Sequence, residues 1–151
     1  MACFVKAVVS LKHKDTDQLQ QELMESPDLQ RFLQENDGMF KERDLAALLD
    51  QFLEKKQITK AELAKRAGMS EVYLYQLYTG RRFPSRSRML SLCLGASATL
   101  EETQGILRQC GFATLYPANR RDAIIIYGIT HGQDLFRIND TLFAENEETL
   151  Y

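Results

Sequence analysis

The chain has 151 residues, 44% of them hydrophobic, which is enough for one domain or for a small domain with helical additions. It has no apolar run of membrane-spanning length, no signal-peptide cleavage pattern, two histidines and three widely spaced cysteines, so we expect a cytoplasmic protein with reduced thiols, no membrane contact, no metal and no cofactor. Its formal net charge of −2 conceals a basic middle between two acidic flanks.

Helical spacing of apolar residues dominates the first third of the chain. Residues 17–25 are predicted to form a short helix, and Pro27 opens a second one. Asp37 and Gly38 are typical of a turn. Residues 45–53 then repeat apolar side chains at the spacing of a helix with one buried face.

Two short helices are predicted next, separated by a very tight turn. Thr59 and Glu62 have the spacing of a capping box at the start of the first. Gly68 suits the left-handed residue that ends it, and Ser70 can cap the second, which ends at Gly80.

Capping signals also predict the helices of the C-terminal half. Pro84 and Ser85 precede one helix, and Thr99 with Glu102 forms a second capping box at the start of the next, which ends near Gly111.

The last third of the chain carries two more helical signals. Asn119 can cap a helix through the run AIIIY at 123–127, although its β-branched residues also fit a strand. Asp134 can cap a last helix, and we expect the tail at 145–151 to be frayed.

The basic middle lies between Lys55 and Leu90. It contains nine Lys or Arg residues against two Glu residues, a net charge of +7, which leaves −9 for the rest of the chain. Such a segment fits a local site for a polyanion, and a solvated charged face is the alternative. Four of its arginines follow the second short helix: Arg81, Arg82, Arg86 and Arg88.

The segment ITKAELAKRAGMSEVYLYQLYTGRRFPS resembles the lambda-repressor-like, or XRE, family of helix-turn-helix DNA-binding domains. The positions that carry the resemblance are the capped first helix, a basic pair and Ala64, Gly68, Ser70, Leu74, Leu77, Gly80 and Pro84. The resemblance implies an all-α protein with a lambda-repressor-like helix-turn-helix domain over residues 44–111. Residues 1–43 would then be an acidic helical extension and residues 112–151 a C-terminal helical extension.

Helical geometry orients the second helix of this pair. At 100° per residue, Leu74, Leu77 and Tyr78 share the core-facing side. Val72, Gln76 and Thr79 point the opposite way, and Tyr73 and Tyr75 lie on the flanks.

The resemblance implies which residues contact DNA. Ser70, Glu71, Val72 and Gln76 match base-reading positions; glutamine pairs with adenine, glutamate accepts from cytosine, and valine packs on a thymine methyl. Lys60, Arg81 and Arg82 match phosphate-binding positions. The expected DNA-binding set is Thr59, Lys60, Ser70, Glu71, Val72, Tyr73, Gln76, Arg81 and Arg82. Alternatively, these are ordinary solvated side chains of an exposed helix.

The sequence therefore predicts a sequence-specific transcriptional regulator that binds double-stranded DNA. A helix-turn-helix adaptor that docks a protein partner is the alternative, favoured by the tyrosines and the acidic flanks. No phosphate loop, nucleophile elbow or paired-carboxylate site indicates an enzyme. A homodimer is expected through C-terminal apolar residues, which otherwise extend a monomer core: Ile124, Ile125, Ile126, Leu135, Ile138, Leu142 and Phe143.

Overall fold

The structure, a computed structural model, describes residues 16–39 and 44–151 of the chain. Every regular element among these residues is a helix, and they contain no strand. The predicted all-α fold is thereby confirmed. The chain divides after residue 42 into two compact units.

The described part of the first unit consists of α1 (Thr16–Glu25), α2 (Leu29–Glu35) and a 3-10 turn (Asp37–Met39). The carboxylate of Asp28 caps α2 by accepting a hydrogen bond from the backbone N–H of Gln30 at 3.0 Å. No side chain of α1 is buried. The large apolar side chains exposed on α1 and α2 are Leu23, Met24, Leu29 and Leu33.

Seven helices follow in residues 44–151. They are α3 (Leu45–Lys56), α4 (Lys60–Arg66), α5 (Glu71–Tyr78), α6 (Arg86–Gly95), α7 (Leu100–Gln109), α8 (Arg120–Thr130) and α9 (Leu135–Ala144). The central one is α6, which packs against α4, α7 and α9. It is buried on almost all sides, and its side chains from Met89 to Cys93 belong to the core.

Two glycines allow these helices to approach closely. A Cβ atom on Gly95 of α6 would lie 2.8 Å from the backbone nitrogen of Ala67, which follows α4. A Cβ atom on Gly128 of α8 would overlap Ile138 of α9. Because neither neighbour can move without disturbing the core, both positions require glycine.

The run AIIIY lies within α8, so the helical prediction is confirmed and the strand is excluded. Asn119 caps this helix as expected, accepting from the backbone N–H of Asp122 at 3.0 Å. Ile125 and Gly128 are both buried, and their spacing of three residues suits one face of a helix. Tertiary packing overrides the β preference of the isoleucines.

The expectation of a frayed C-terminal tail is wrong. Leu150 is buried, and its backbone N–H donates to Oδ1 of Asn139 in α9 at 2.7 Å. Nε of Arg121 in α8 donates to the carbonyl of Glu148 at 2.8 Å. Side chains of the last two helices thus supply the hydrogen-bond partners that an isolated tail would lack.

Most of the C-terminal apolar residues considered for a dimer surface are committed to the core. Ile125, Leu135, Ile138 and Leu142 are fully buried within this unit. Phe143, by contrast, is 78% exposed. The alternative of an extended monomer core is therefore right for these four residues.

Candidate nucleic-acid interface

The two short helices α4 and α5 begin at capped positions. Oγ1 of Thr59 accepts from the backbone N–H of Glu62 at 3.2 Å, and Oγ of Ser70 accepts from that of Tyr73 at 3.1 Å. Thr59 and Ser70, which are both members of the expected DNA-binding set, therefore use their side-chain oxygens to cap helices.

The capping box predicted at Thr59 forms only by half. A complete capping box would also have the Glu62 carboxylate accept from the backbone N–H of Thr59. Instead, this carboxylate accepts from Nε of Arg66 at 2.8 Å, one helical turn along the same face. The second predicted box, at Thr99 and Glu102, is complete.

The turn between α4 and α5 depends on Gly68. Its φ of +64° is left-handed, and the backbone N–H of the next residue, Met69, donates to the carbonyl of Ala64 at 3.0 Å. Leu135 of α9 and Tyr151 of the tail pack against the same glycine. The C-terminal residues thus cover the outside of the helix-turn-helix turn.

The outer face of α5 consists of Val72, Tyr75, Gln76 and Thr79, opposite the buried Leu74 and Leu77. Val72 is 68% exposed and Tyr75 64% exposed, whereas Gln76 is half-buried. Glu71 is exposed in the first turn. The calculated helix rotation is confirmed for the two core leucines.

Tyr75 is a residue of this face that the expected set omits. It lies three positions after Val72, a rotation that places the two side chains about 60° apart around the helix. That spacing could have identified Tyr75 from the sequence.

The chain reverses direction after α5, which brings two arginines beside its end. Gly80 adopts a φ of +75°, and the backbone N–H of Arg82 donates to the carbonyl of Gln76 at 3.2 Å. Arg81 and Arg82 both have exposed side chains at this position.

Tyr73 lies against two guanidinium groups. Its ring centroid is 5.9 Å from Cζ of Arg82 and 5.5 Å from Cζ of Arg88, which comes from the first turn of α6. Both distances are within the range of cation–π attraction. Arg88 belongs to the basic middle, but its contact with Tyr73 of α5 cannot be predicted from its position in the sequence.

Lys60 lies above the ring of Tyr78, with Nζ 4.1 Å from the ring centroid. Burial raises the pKa of the Tyr78 hydroxyl, and the nearby carboxylate of Asp50 raises it further. The phenol therefore stays neutral, and its ring attracts the ammonium group through its π face. The interaction holds Lys60 beside the end of α5.

Four of the nine cations in the basic middle have structural partners. Arg86 pairs with the buried Asp122, with Nη2 2.9 Å from Oδ2, and Lys55 and Lys56 both contact Glu102. The fourth is Arg66, paired with Glu62. Although the sequence places Arg86 in the basic cluster, its charge is neutralised inside the fold.

Five cations of the basic middle have no carboxylate within ion-pair distance among the described residues. These five unpaired cations are Lys60, Lys65, Arg81, Arg82 and Arg88. They come from α4, from the loop after α5 and from α6, and three of them, Lys60, Arg82 and Arg88, lie against tyrosine rings of α5. Such an arrangement can bind the phosphates of a nucleic acid.

The parts of the chain that the structure describes contain no group of three or more His, Cys, Asp or Glu side chains able to hold a metal ion. None of their helices has the length and apolar character to cross a bilayer.

Comparison with known proteins identifies a helix-turn-helix domain over residues 44–104. This range includes α3 to α6 and the first part of α7, with the whole candidate interface. No curated protein and no solved structure matches the chain. The helix-turn-helix prediction is confirmed, and this domain is typical of DNA-binding proteins that are not enzymes; membership of the XRE family stays a prediction.

Proposed function

We propose that the protein is a sequence-specific transcriptional regulator of the XRE type that binds double-stranded DNA in the cytoplasm. The observation that carries the proposal is the set of five unpaired cations, three of which lie against tyrosine rings of α5. The described residues pair Arg86 and Lys55 with carboxylates but provide none for these five, which gives an electrostatic surface suited to a polyanion.

In this proposal α5 lies in the major groove, with its outer face toward the base edges. Gln76 and Glu71 supply hydrogen-bonding groups there, and Val72 supplies an apolar surface for a thymine methyl. Lys60, Arg81 and Arg82 bind the DNA backbone on either side. Thr59 and Ser70 act by fixing the starts of the two helices, since both hydroxyls already accept backbone hydrogen bonds.

The phosphate-binding role is tested by the variant R81A/R82A. Its affinity should fall for all DNA sequences alike, and the slope of log K against log salt should shrink by about one unit for each phosphate that is no longer bound. R31A/R108A removes the same charge from α2 and α7 and should leave the slope unchanged. An unaltered slope in R81A/R82A would remove these residues from the interface.

Base reading is tested after selection of a preferred site from random DNA fragments at fixed salt. Q76A should then cost about 1–3 kcal/mol at that site and relax the preference at one base pair. Thermal stability should change little, because Leu74 and Leu77 on the opposite face supply the core packing. A selection that recovers no preferred sequence would contradict sequence-specific regulation.

The second candidate function is an adaptor that docks a protein through the same helix. The exposure of Val72 and Tyr75 favours it, because aromatic side chains are enriched in protein interfaces. V72S/Y75S distinguishes the two functions. An adaptor would lose its partner while DNA affinity stays absent in wild type and variant, whereas a regulator would show altered base preference.

We further propose that a regulator of this kind acts as a dimer. One helix-turn-helix reads only a few base pairs, so two are needed about 34 Å apart. Two exposed features of this unit are candidate dimer surfaces: a groove between α8 and α9, lined by Ile124, Tyr127 and Thr141, and, outside that groove, the side chain of Phe143 on α9.

A further inference from the structure

Two arginine side chains lie against one aromatic ring of α5. Arg82 leaves the loop after α5, whereas Arg88 belongs to α6, and the ring of Tyr73 is the common neighbour of their guanidinium groups. Guanidinium groups pack well on aromatic faces, because they are planar and weakly hydrated. The ring therefore gathers two cations that would otherwise repel each other.

The described residues provide no hydrogen-bond acceptor for the guanidinium groups of Arg82 and Arg88. Nη1 of Arg88 is buried without a hydrogen-bond partner among the described residues. Neither guanidinium lies within ion-pair distance of a carboxylate in that part of the chain. A buried donor that stays unpaired is unfavourable, so an anion brought from outside would be stabilised beside it.

Arg86, which lies in the same helical turn as Arg88, has the hydrogen-bond acceptors that Arg88 lacks. Its guanidinium donates to both carboxylate oxygens of Asp122 and to the carbonyls of Ala113 and Thr114. The described residues thus supply an acceptor for each nitrogen of the Arg86 guanidinium and none for that of Arg88.

We propose that Tyr73 is a positioning residue, whose ring holds Arg82 and Arg88 as a pair that binds one phosphate group of the DNA backbone. This inference rests on the proposed function and assigns Tyr73 a role through the two arginines rather than through a base. Holding both side chains in place before binding reduces the conformational entropy that DNA binding costs. The ring, and not the hydroxyl, carries the effect.

Variants of Tyr73 test the role in DNA binding. Y73L should weaken binding of a duplex of unrelated sequence about tenfold, since two side chains must then be ordered when DNA binds, and Y73F should bind as wild type does. Y116L changes an exposed tyrosine outside α5 and serves as the control for the substitution. Thermal unfolding of each variant establishes that the fold is kept.

A mutant cycle separates positioning from a structural role. R82A/R88A removes one phosphate contact and should reduce the salt slope by about one unit, and adding Y73L to it should produce no further loss of affinity. A structural role for Tyr73 would make the triple variant weaker than the double. That result, or a Y73L variant that binds as wild type does, would overturn the proposal.

Inorganic phosphate distinguishes failure of this inference from failure of the proposed function. In wild type and Y73F, titration with phosphate at constant ionic strength should shift the NMR signals of the Arg82 and Arg88 Nε–H groups together, and Y73L should abolish the joint shift. If these signals shift while the wild type binds no duplex, the regulatory function fails and the phosphate-binding pair stands. If the duplex binds and neither signal responds to phosphate, the pair is wrong and the regulatory function stands.

Discussion

The ring of Tyr151 packs directly against Gly68, the glycine of the helix-turn-helix turn. A Cβ atom at Gly68 would lie 2.9 Å from Cε1 of Tyr151 and 3.3 Å from Cδ2 of Leu135. The turn therefore needs glycine twice, for its left-handed φ and for the space that the tail occupies. Through this packing the end of the chain supports the angle between α4 and α5.

Replacement of Gly68 should be more costly than replacement of a glycine with the same backbone conformation and free space. We expect G68A to lower the free energy of unfolding by about 2–3 kcal/mol, and G80A by about 1 kcal/mol. Gly80 has a φ of +75° but no atom within 4 Å of an added Cβ. Urea unfolding measures both values, and equal costs would show that the tail does not restrict the turn.

The same comparison can be made without the ring. In a Y151A background, the difference between G68A and G80A should shrink, because the nearest obstacle has been removed. The residual difference reports the packing against Leu135. A difference that stays unchanged would assign the whole steric cost to that leucine.

The ion pair between Arg86 and Asp122 should contribute to stability and not to DNA binding. Asp122 is buried, and its Oδ2 also accepts from the backbone N–H of Tyr116 at 3.0 Å. R86A leaves this carboxylate without its cation and should cost about 3 kcal/mol of unfolding free energy. R120A breaks an exposed pair with Glu145 and should cost less than about 1 kcal/mol.

A paired apolar replacement separates folding from binding at this site. R86M/D122L removes both charges together and should recover part of the stability that R86A loses, although the backbone N–H of Tyr116 then loses its acceptor. Its salt slope for DNA should equal that of wild type if Arg86 lies outside the interface. A slope reduced by one unit would add Arg86 to the phosphate-binding residues.

Local signals in the sequence are sufficient for the helix starts and the core side of α5. Ser70, Thr99 and Asp134 cap helices as their spacing predicts, because a cap depends on residues within one turn. The partners of charged groups cannot be predicted this way. Arg86 pairs with Asp122, which lies thirty-six residues further along the chain. Sequence patterns do not indicate contacts between residues so far apart.

The tail and the ring of Tyr73 illustrate the same limit. A polar segment such as ENEETLY has no helical or strand period, so its sequence predicts fraying, yet Asn139 holds it by one backbone hydrogen bond. Likewise, the approach of Arg88 to Tyr73 depends on how α6 packs against the rest of the domain. Long-range packing decides both outcomes, and local sequence patterns do not encode it.

The Glu102 carboxylate should make stability depend on pH in the acidic range. The hydrogen bond from Lys55 is the main cause that lowers its pKa to about 2, followed by the bond from the backbone N–H of Thr99. Because the folded pKa lies below the unfolded value of 4.5, the stabilisation is complete above that value and is lost as pH falls toward 2.

The variant E102Q tests this dependence. Between about pH 5 and about pH 2, wild type should lose about 1–2 kcal/mol more unfolding free energy than E102Q, a value that allows for screening by solvent. Urea unfolding at several pH values gives the two curves. Curves that run parallel through this range would mean that Glu102 titrates alike in the folded and unfolded states.

The dimer proposed through α8 and α9 should depend on Phe143. This side chain is 78% exposed and Tyr127 is 57% exposed, whereas the neighbouring Leu142 is buried in the core. F143S should therefore leave thermal stability nearly unchanged and convert a dimer at micromolar concentration into a monomer, as measured by light scattering. M24S replaces an apolar side chain of similar exposure on α1 and should leave the dimer intact.

Specific DNA binding by F143S should weaken, because one helix-turn-helix then reads its half-site alone. A wild-type protein that stays monomeric both alone and with DNA would contradict the dimer and confine recognition to a single half-site.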